Sequence, residues 1–95
     1  GPAYVFEFIA ALSQAGVQAG LEPSLAAALA TETVWGSAEL VKQSGQSPES
    51  LRDAVTSPGG TTEAALNSLK SADFRALIQQ AVSKAKARSI ELADN

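Results

Sequence analysis

The residues best suited to binding chemistry form one short run, VTSPGGTT from Val55 to Thr62, just before a helical pattern that begins near Glu63. A pair of glycines lets the backbone turn through conformations closed to other residues and approach a ligand closely. Where such a loop opens a helix, free amides and the positive end of the helix dipole face outward together. This combination predicts a seat for a carboxylate or phosphate. The competing interpretation is an ordinary turn followed by a helix cap.

Other reactive groups are scarce. The chain has no histidine and no cysteine, which excludes Cys/His zinc sites, thiol chemistry, disulfides and histidine-based triads. No metal site is predicted. The hydroxyls of Ser57, Thr61 and Thr62 have no local base, because Lys70 lies eight residues beyond Thr62, more than two helical turns away. These hydroxyls therefore suit the positioning of a ligand better than nucleophilic attack.

Helical spacing of apolar residues runs along most of the chain, and no region alternates as a strand does. The predicted fold is all-α, a bundle of about five helices. The predicted helices cover residues 3–20, 24–44, 48–55, 62–71 and 73 onward.

Residues that start and stop helices agree with these bounds. Gly20 and Gly45 are typical of positions just past a helix end, and Pro23 can begin the second helix. Ser47, before a proline, is typical of an N-cap, and Asp73 is predicted to cap the fifth helix.

Three positions lead to predictions about packing. Gly16 interrupts the first helix at a cost in propensity, which predicts close contact with a neighbouring helix there. Leu66 and Leu69 are predicted to lie on the buried face of the fourth helix.

The second helix is apolar around most of its circumference, so it should be buried on nearly all sides. A 95-residue domain has few elements with which to surround it. All seven Lys and Arg residues lie beyond residue 41, which leaves the first half of the chain almost without charge. We therefore expect a homodimer with this helix near its centre and Trp35 in the core or interface.

Length and charge exclude other classes of protein. The 95 residues allow one domain, and the net charge of −3 argues against a nucleic-acid-binding surface. No membrane association is predicted, because polar residues at 31–33 interrupt the apolar stretch well before the roughly 20 residues that a spanning helix requires.

The run VTSPGGTT and the Ala64-Ala65-Leu66 that follows resemble the signature loop of pyrroline-5-carboxylate reductases. The agreement continues in order along the chain, at residues 1–6 (GPAYVF), 11–17 (ALSQAGV), 51–53 (LRD) and 88–92 (RSIEL). The resemblance implies that residues 1–95 form the C-terminal helical dimerisation and substrate-binding domain of a cytoplasmic enzyme. It also implies helices that interlock between the two subunits of a homodimer, with larger assemblies left open.

The resemblance further implies the reaction. Enzymes of this family reduce 1-pyrroline-5-carboxylate to L-proline, with NADPH or NADH as the hydride donor. The family binds that cofactor mainly through an N-terminal dinucleotide-binding domain with a G-x-G-x-x-G fingerprint after a strand. No such fingerprint occurs in this sequence, so we expect that domain to be absent from the chain and the chain alone not to turn over.

Site residues also follow from the resemblance. It assigns to the Thr62 hydroxyl the catalytic hydrogen bond with the ring nitrogen of the substrate. It places the substrate carboxylate on Ser57 and the amides around Gly60, Thr61 and Thr62, and Val55 is expected to line the pocket. The implied substrate-binding set is Val55, Ser57, Gly59, Gly60, Thr61 and Thr62. Another interpretation treats Thr62 as a helix cap only.

The sequence departs from the family pattern at two places. Glu63 stands where the family often has an aliphatic residue, and its charge favours the helix dipole but competes with substrate charge. Ala72-Asp73 replaces a glycine pair.

Two other functions are considered beside that of the reductase. They are a free-standing helical dimerisation module without catalytic activity and an unrelated anion-sensing helical domain.

Overall fold

The computed structural model describes residues 1–94, which form five α-helices and no strand. The all-α prediction and the number of helices are confirmed. The helices are α1 (Pro2–Gln18), α2 (Pro23–Ser44), α3 (Pro48–Ala54), α4 (Thr61–Ser71) and α5 (Phe74–Ala93).

The helices group into two compact units. The first unit covers Gly1–Leu51, and within it α1 packs along α2. The second unit begins at Arg52, and within it α4 contacts α5. The boundary falls inside α3, whose last residues join the loop that leads to α4.

The end of α1 is closed by two backbone hydrogen bonds. Gly20 N–H donates to the Val17 carbonyl and Leu21 N–H donates to the Gly16 carbonyl, both at 3.0 Å. Gly20 has φ +110°, which a residue with a side chain rarely adopts. This is the Schellman arrangement, and it confirms Gly20 as the residue that stops the helix.

Gly16, on α1, lies against Ala26 of α2. A Cβ added to it would lie 3.1 Å from the Cβ of Ala26, and Ala26 is only 2% exposed. The predicted close contact at Gly16 is therefore confirmed. Small residues on both helices set this distance, because any larger side chain would force the helices apart.

The start of α2 depends on a cap that the sequence analysis did not identify. The Glu22 carboxylate accepts hydrogen bonds from the Leu25 amide at 3.2 Å and from the Ser24 hydroxyl. These bonds, above all the one from Ser24, lower the pKa of the Glu22 carboxyl below its ordinary value. Pro23 follows as the first helical residue, as predicted.

The predicted boundary residues of the next two helix ends are confirmed. Gly45, with φ +69°, stops α2 in the left-handed conformation. The Ser47 hydroxyl accepts a hydrogen bond from Ser50 N–H at 3.0 Å and so caps the start of α3.

The prediction for Asp73 is wrong in its mechanism. Asp73 directly precedes α5, but its side chain makes no capping hydrogen bond. Its backbone has φ 57° and ψ 51°, and its N–H donates to the Lys70 carbonyl at 3.0 Å. Asp73 therefore follows α4 in a left-handed conformation that glycine usually takes, whereas a residue whose side chain caps a helix typically has an extended backbone.

The prediction of a buried Leu69 is also wrong within one chain. Leu66 is half-buried, but Leu69 is 43% exposed. Leu66 and Leu69 both lie on α4, but only Leu66 is half-buried within one chain.

Many large apolar side chains are exposed among the described residues. Ala26 and Ala30 are the only fully buried residues among them, and large side chains such as Trp35 (63% exposed) lie at the surface. The chain exposes 7519 Å², whereas a compact monomer of 9.7 kDa would expose about 5,100 Å². About 2,400 Å² of surface therefore lacks the cover that a folded monomer of this size would have. Within residues 1–94, no helix combines the length and apolar character needed to cross a membrane.

We predict that Gly16→Val lowers the free energy of unfolding by about 1–3 kcal/mol, because the added methyl groups would overlap Ala26 and separate α1 from α2. Chemical denaturation followed by circular dichroism, at matched protein concentration, measures this change. Gln14→Val, at an exposed position of α1, is the control and should change stability by no more than about 0.5 kcal/mol. Equal stability of the two variants would contradict the contact.

We predict that Glu22→Ala lowers the thermal midpoint at pH 7 and that this difference shrinks in acid. The folded state lowers the pKa of the Glu22 carboxyl, so its stabilising effect is present above the ordinary carboxyl range and is lost as pH falls through the lowered value. Thermal midpoints of both proteins measured from pH 7 down to pH 3 provide the test. A difference that stays constant with pH would show that the capping carboxylate is not its source.

Candidate functional site

The loop between α3 and α4 contains a tight turn made by Ser57, Pro58, Gly59 and Gly60. Gly60 N–H donates to the Ser57 carbonyl at 3.0 Å, and Gly59 has φ +73°. Proline in the second position and a positive-φ glycine in the third are the features of a type II turn. The two glycines thus have separate roles. Gly59 supplies the left-handed conformation, and Gly60 has no side chain that would crowd the Ser57 carbonyl. A Cβ at Gly60 would lie 3.1 Å from the Ser57 carbonyl oxygen.

The start of this loop is held by the last turn of α3. Val55 N–H donates to the Arg52 carbonyl, and Thr56 N–H donates to the Asp53 carbonyl, both at 3.2 Å. The Thr56 hydroxyl also donates to the Arg52 carbonyl at 2.6 Å. The run from Val55 to Gly60 is therefore ordered by backbone hydrogen bonds at both ends.

Glu63 reaches back from the first turn of α4 to this loop. Its Oε1 accepts a hydrogen bond from Gly59 N–H at 3.2 Å, and the residue is half-buried. A glutamate at the third position of a helix commonly bonds an amide near the N-cap in this way. From its place in the first turn, Glu63 was expected to favour the helix dipole and to compete with substrate charge. Its hydrogen bond with Gly59 was missed, although its spacing of three residues from Gly60 was a signal for such a contact.

The N-terminus of α4 presents amides without intrahelical acceptors. Gly60 is the N-cap, and no side chain caps the helix. Thr61, Thr62 and Glu63 occupy the first three helical positions, where amides lack the carbonyl one turn earlier. Thr61 and Thr62 are exposed. Together with the helix dipole, these N–H groups can bind an anion.

The position of Thr62 in α4 tests the interpretation that it is only a helix cap. Thr62 is the second residue of α4, and the N-cap is Gly60. The interpretation of Thr62 as the helix cap is therefore wrong. Its hydroxyl is available to a ligand, and the catalytic role that the resemblance implies stays a prediction.

The structure brings most of the predicted site residues into one short segment. Ser57, Gly59 and Gly60 share the turn, and Thr61 and Thr62 follow it directly. Val55 precedes the turn with its side chain 69% exposed, so the pocket predicted for it stays a prediction.

A cleft elsewhere in the second unit does not include these residues. It measures about 520 Å³, lies along α4 and α5, and is lined in part by Lys70, Asp73 and Arg75. Among residues 1–94, no group of three histidine, cysteine, aspartate or glutamate side chains could hold a metal ion. The N-terminus of α4, which no side chain caps, is suited to binding a small anion.

Comparison with known proteins gives consistent matches along the chain. A family model described as pyrroline-5-carboxylate reductase dimerisation matches residues 1–92. A pyrroline-5-carboxylate reductase from Arabidopsis thaliana is 48% identical over 95 residues, which are 100% of this chain and 34% of that protein.

Solved structures of the same kind of enzyme are similar to this chain in fold. A pyrroline-5-carboxylate reductase from Coxiella burnetii superimposes with a TM-score of 0.94 and 43% identity over 97% of this chain and 34% of that one. A pyrroline carboxylate reductase from Plasmodium falciparum with NADP bound gives a TM-score of 0.86 and 44% identity, over 90% of this chain and 34% of that one. The chain therefore spans about a third of the length of these relatives.

Proposed function

The chain belongs to the pyrroline-5-carboxylate reductase dimerisation family, and we propose that it is the dimerisation and substrate-binding part of an enzyme that reduces 1-pyrroline-5-carboxylate to L-proline. The observation that carries the proposal is the ordered VTSPGGTT loop, which presents Thr61 and Thr62 exposed at the N-terminus of α4. No observation favours a dimerisation module without catalytic activity.

The substrate carboxylate is proposed to sit on the amides of Thr61 and Thr62, with the Ser57 hydroxyl beside them. Gly59 N–H already donates to Glu63, and Gly60 N–H already donates to the Ser57 carbonyl. The amides left for an anion are therefore those of the first helical turn, which also lie where the helix dipole is most favourable. The proposed carboxylate-binding site therefore uses fewer amides than the resemblance implies, since those of Gly59 and Gly60 are already bonded.

The Thr62 hydroxyl is proposed to form a hydrogen bond with the ring nitrogen of the substrate. Its position next to the carboxylate seat fits a five-membered ring that bears a carboxylate one carbon away from the nitrogen. A hydrogen bond at this nitrogen orients the C=N bond, and a hydrogen bond that strengthens as the charge on the nitrogen changes during reduction favours the transition state. The role of Thr62 is therefore to position the substrate and to stabilise the transition state.

The dinucleotide is proposed to be held mainly outside this chain. Dinucleotide sites of the G-x-G-x-x-G type follow a β-strand, whereas residues 1–94 contain no strand and Gly59-Gly60 follows α3. NADPH or NADH would supply the hydride from a separate domain. The chain alone is expected not to turn over, and the cytoplasmic location stays a prediction.

The partner is proposed to be a second copy of this chain, which would cover the exposed apolar faces. Leu25, Leu29, Trp35 and Leu40, all on α2, are each 47–63% exposed. Interfaces of obligate dimers bury about 2,000–5,000 Å² in total, a range that includes twice the uncovered area of one chain. The interlocked form and any larger assembly stay predictions.

We predict that Thr62→Ala lowers kcat/KM about 10- to 100-fold in a protein that joins this chain to its dinucleotide-binding domain, because one hydrogen bond to the reacting nitrogen is lost. Thr62→Ser keeps the hydroxyl and should stay within a few-fold of the parent. Steady-state kinetics of both variants measure the effect. Equal activity of Thr62→Ala and the parent would remove the role assigned to the hydroxyl.

We predict that Trp35→Ala weakens dimerisation about 30-fold, since a buried tryptophan at an interface commonly contributes about 2 kcal/mol. Sedimentation velocity over a dilution series measures the dissociation constant. Lys42→Ala, at another exposed position of α2, is the control for changes in helix propensity. An unchanged dissociation constant in the Trp35 variant would place that side chain outside the interface.

A further inference from the structure

Glu63 is a carboxylate bound to the same loop that is proposed to receive the carboxylate of the substrate. Its Oε1 lies 3.2 Å from the Gly59 nitrogen, and the residue stands at the third position of α4. It is half-buried, while the neighbouring Thr61 and Thr62 are exposed. The negative charge of Glu63 therefore lies at the helix end that also attracts anionic ligands.

This contact has two physical consequences. The hydrogen bond holds Gly59 N–H in the turn, which leaves the positive-φ conformation of Gly59 less free to change. The charge of Glu63 also lowers the electrostatic potential at the amides of Thr61 and Thr62, since like charges repel across the short first turn of a helix. Glu63 thus orders the seat and at the same time opposes an anion in it.

We propose that Glu63 determines ligand selectivity at this loop, disfavouring simple carboxylates relative to ligands whose carboxylate lies beside a cationic nitrogen. A zwitterionic cyclic amino acid brings its own positive charge and so is little affected by the charge of Glu63. A cyclic carboxylate without that nitrogen is affected in full. The inference rests on the proposed function, because it needs the substrate to bind at the 55–62 loop.

Two substitutions separate the charge from the hydrogen bond. Glu63→Gln keeps a side-chain oxygen that can accept from Gly59 N–H and removes the charge. Glu63→Leu removes both. Glu91→Gln, which makes the same chemical change on α5 where Glu91 pairs with Arg88, is the matched control.

The ligand experiment compares L-proline with cyclopentanecarboxylate, which has the same ring size and no nitrogen. Each is titrated into the isotopically labelled chain, and the amide shifts of Thr61 and Thr62 give the affinities. In Glu63→Gln we expect cyclopentanecarboxylate to bind about 3- to 10-fold more tightly and L-proline to change less than about twofold, while Glu91→Gln leaves both unchanged. Equal changes for the two ligands would overturn the selectivity role.

A second measurement tests the hydrogen bond without any ligand. Hydrogen exchange at the Gly59 amide should be slow in the parent and in Glu63→Gln, and at least about tenfold faster in Glu63→Leu. Equal exchange in all three proteins would overturn the positioning role. If neither ligand moves the Thr61 and Thr62 amides in any variant, the proposed substrate seat fails and the selectivity role fails with it, while the Gly59 result still decides the hydrogen bond.

Discussion

One copy of this chain buries little apolar side-chain area, and this limits the stability of its helices. The hydrophobic effect stabilises a helix bundle in proportion to the apolar area removed from water, and two alanines are the only fully buried residues among positions 1–94. The contact of Gly16 with Ala26 brings α1 and α2 close, yet it leaves the outer faces of both helices uncovered. A second copy that covers these faces would supply the missing stabilisation, so folding and association are expected to be coupled.

The 55–62 loop is held by local contacts with the two helices that flank it. Its turn is fixed by the positive φ of Gly59 and by the hydrogen bond from Gly60 to Ser57. Its direction is fixed by the last turn of α3 on one side and by α4 on the other. Amides at a helix N-terminus bind anions well only when that terminus is held still. Glu63 holds the turn through its hydrogen bond with Gly59, and we propose that its charge also opposes an anionic ligand there.

Much of the fold could be predicted from the sequence, because glycine and proline act locally, whereas the binding role of the 55–62 loop stays a prediction. The stops at Gly20 and Gly45 and the close contact at Gly16 required only backbone arguments, and the resemblance located the loop. The capping by Glu22 was not predicted, since it depends on where a turn places one carboxylate, and the contact of Glu63 was missed although its spacing from Gly60 was a signal for it. The left-handed backbone of Asp73 was missed because a residue other than glycine rarely adopts it. Exposure of Leu69 escaped prediction for another reason, because helical periodicity does not distinguish burial within a chain from burial between chains.

The dependence of folding on association is tested most directly by thermal unfolding of the unmodified chain at a series of concentrations. Circular dichroism would follow helix content over a hundredfold dilution, with sedimentation equilibrium at each end. We expect the midpoint to rise with concentration and the mass to be twice 9.7 kDa where the helices are formed. A midpoint independent of concentration, together with a folded species of 9.7 kDa, would contradict the central claim.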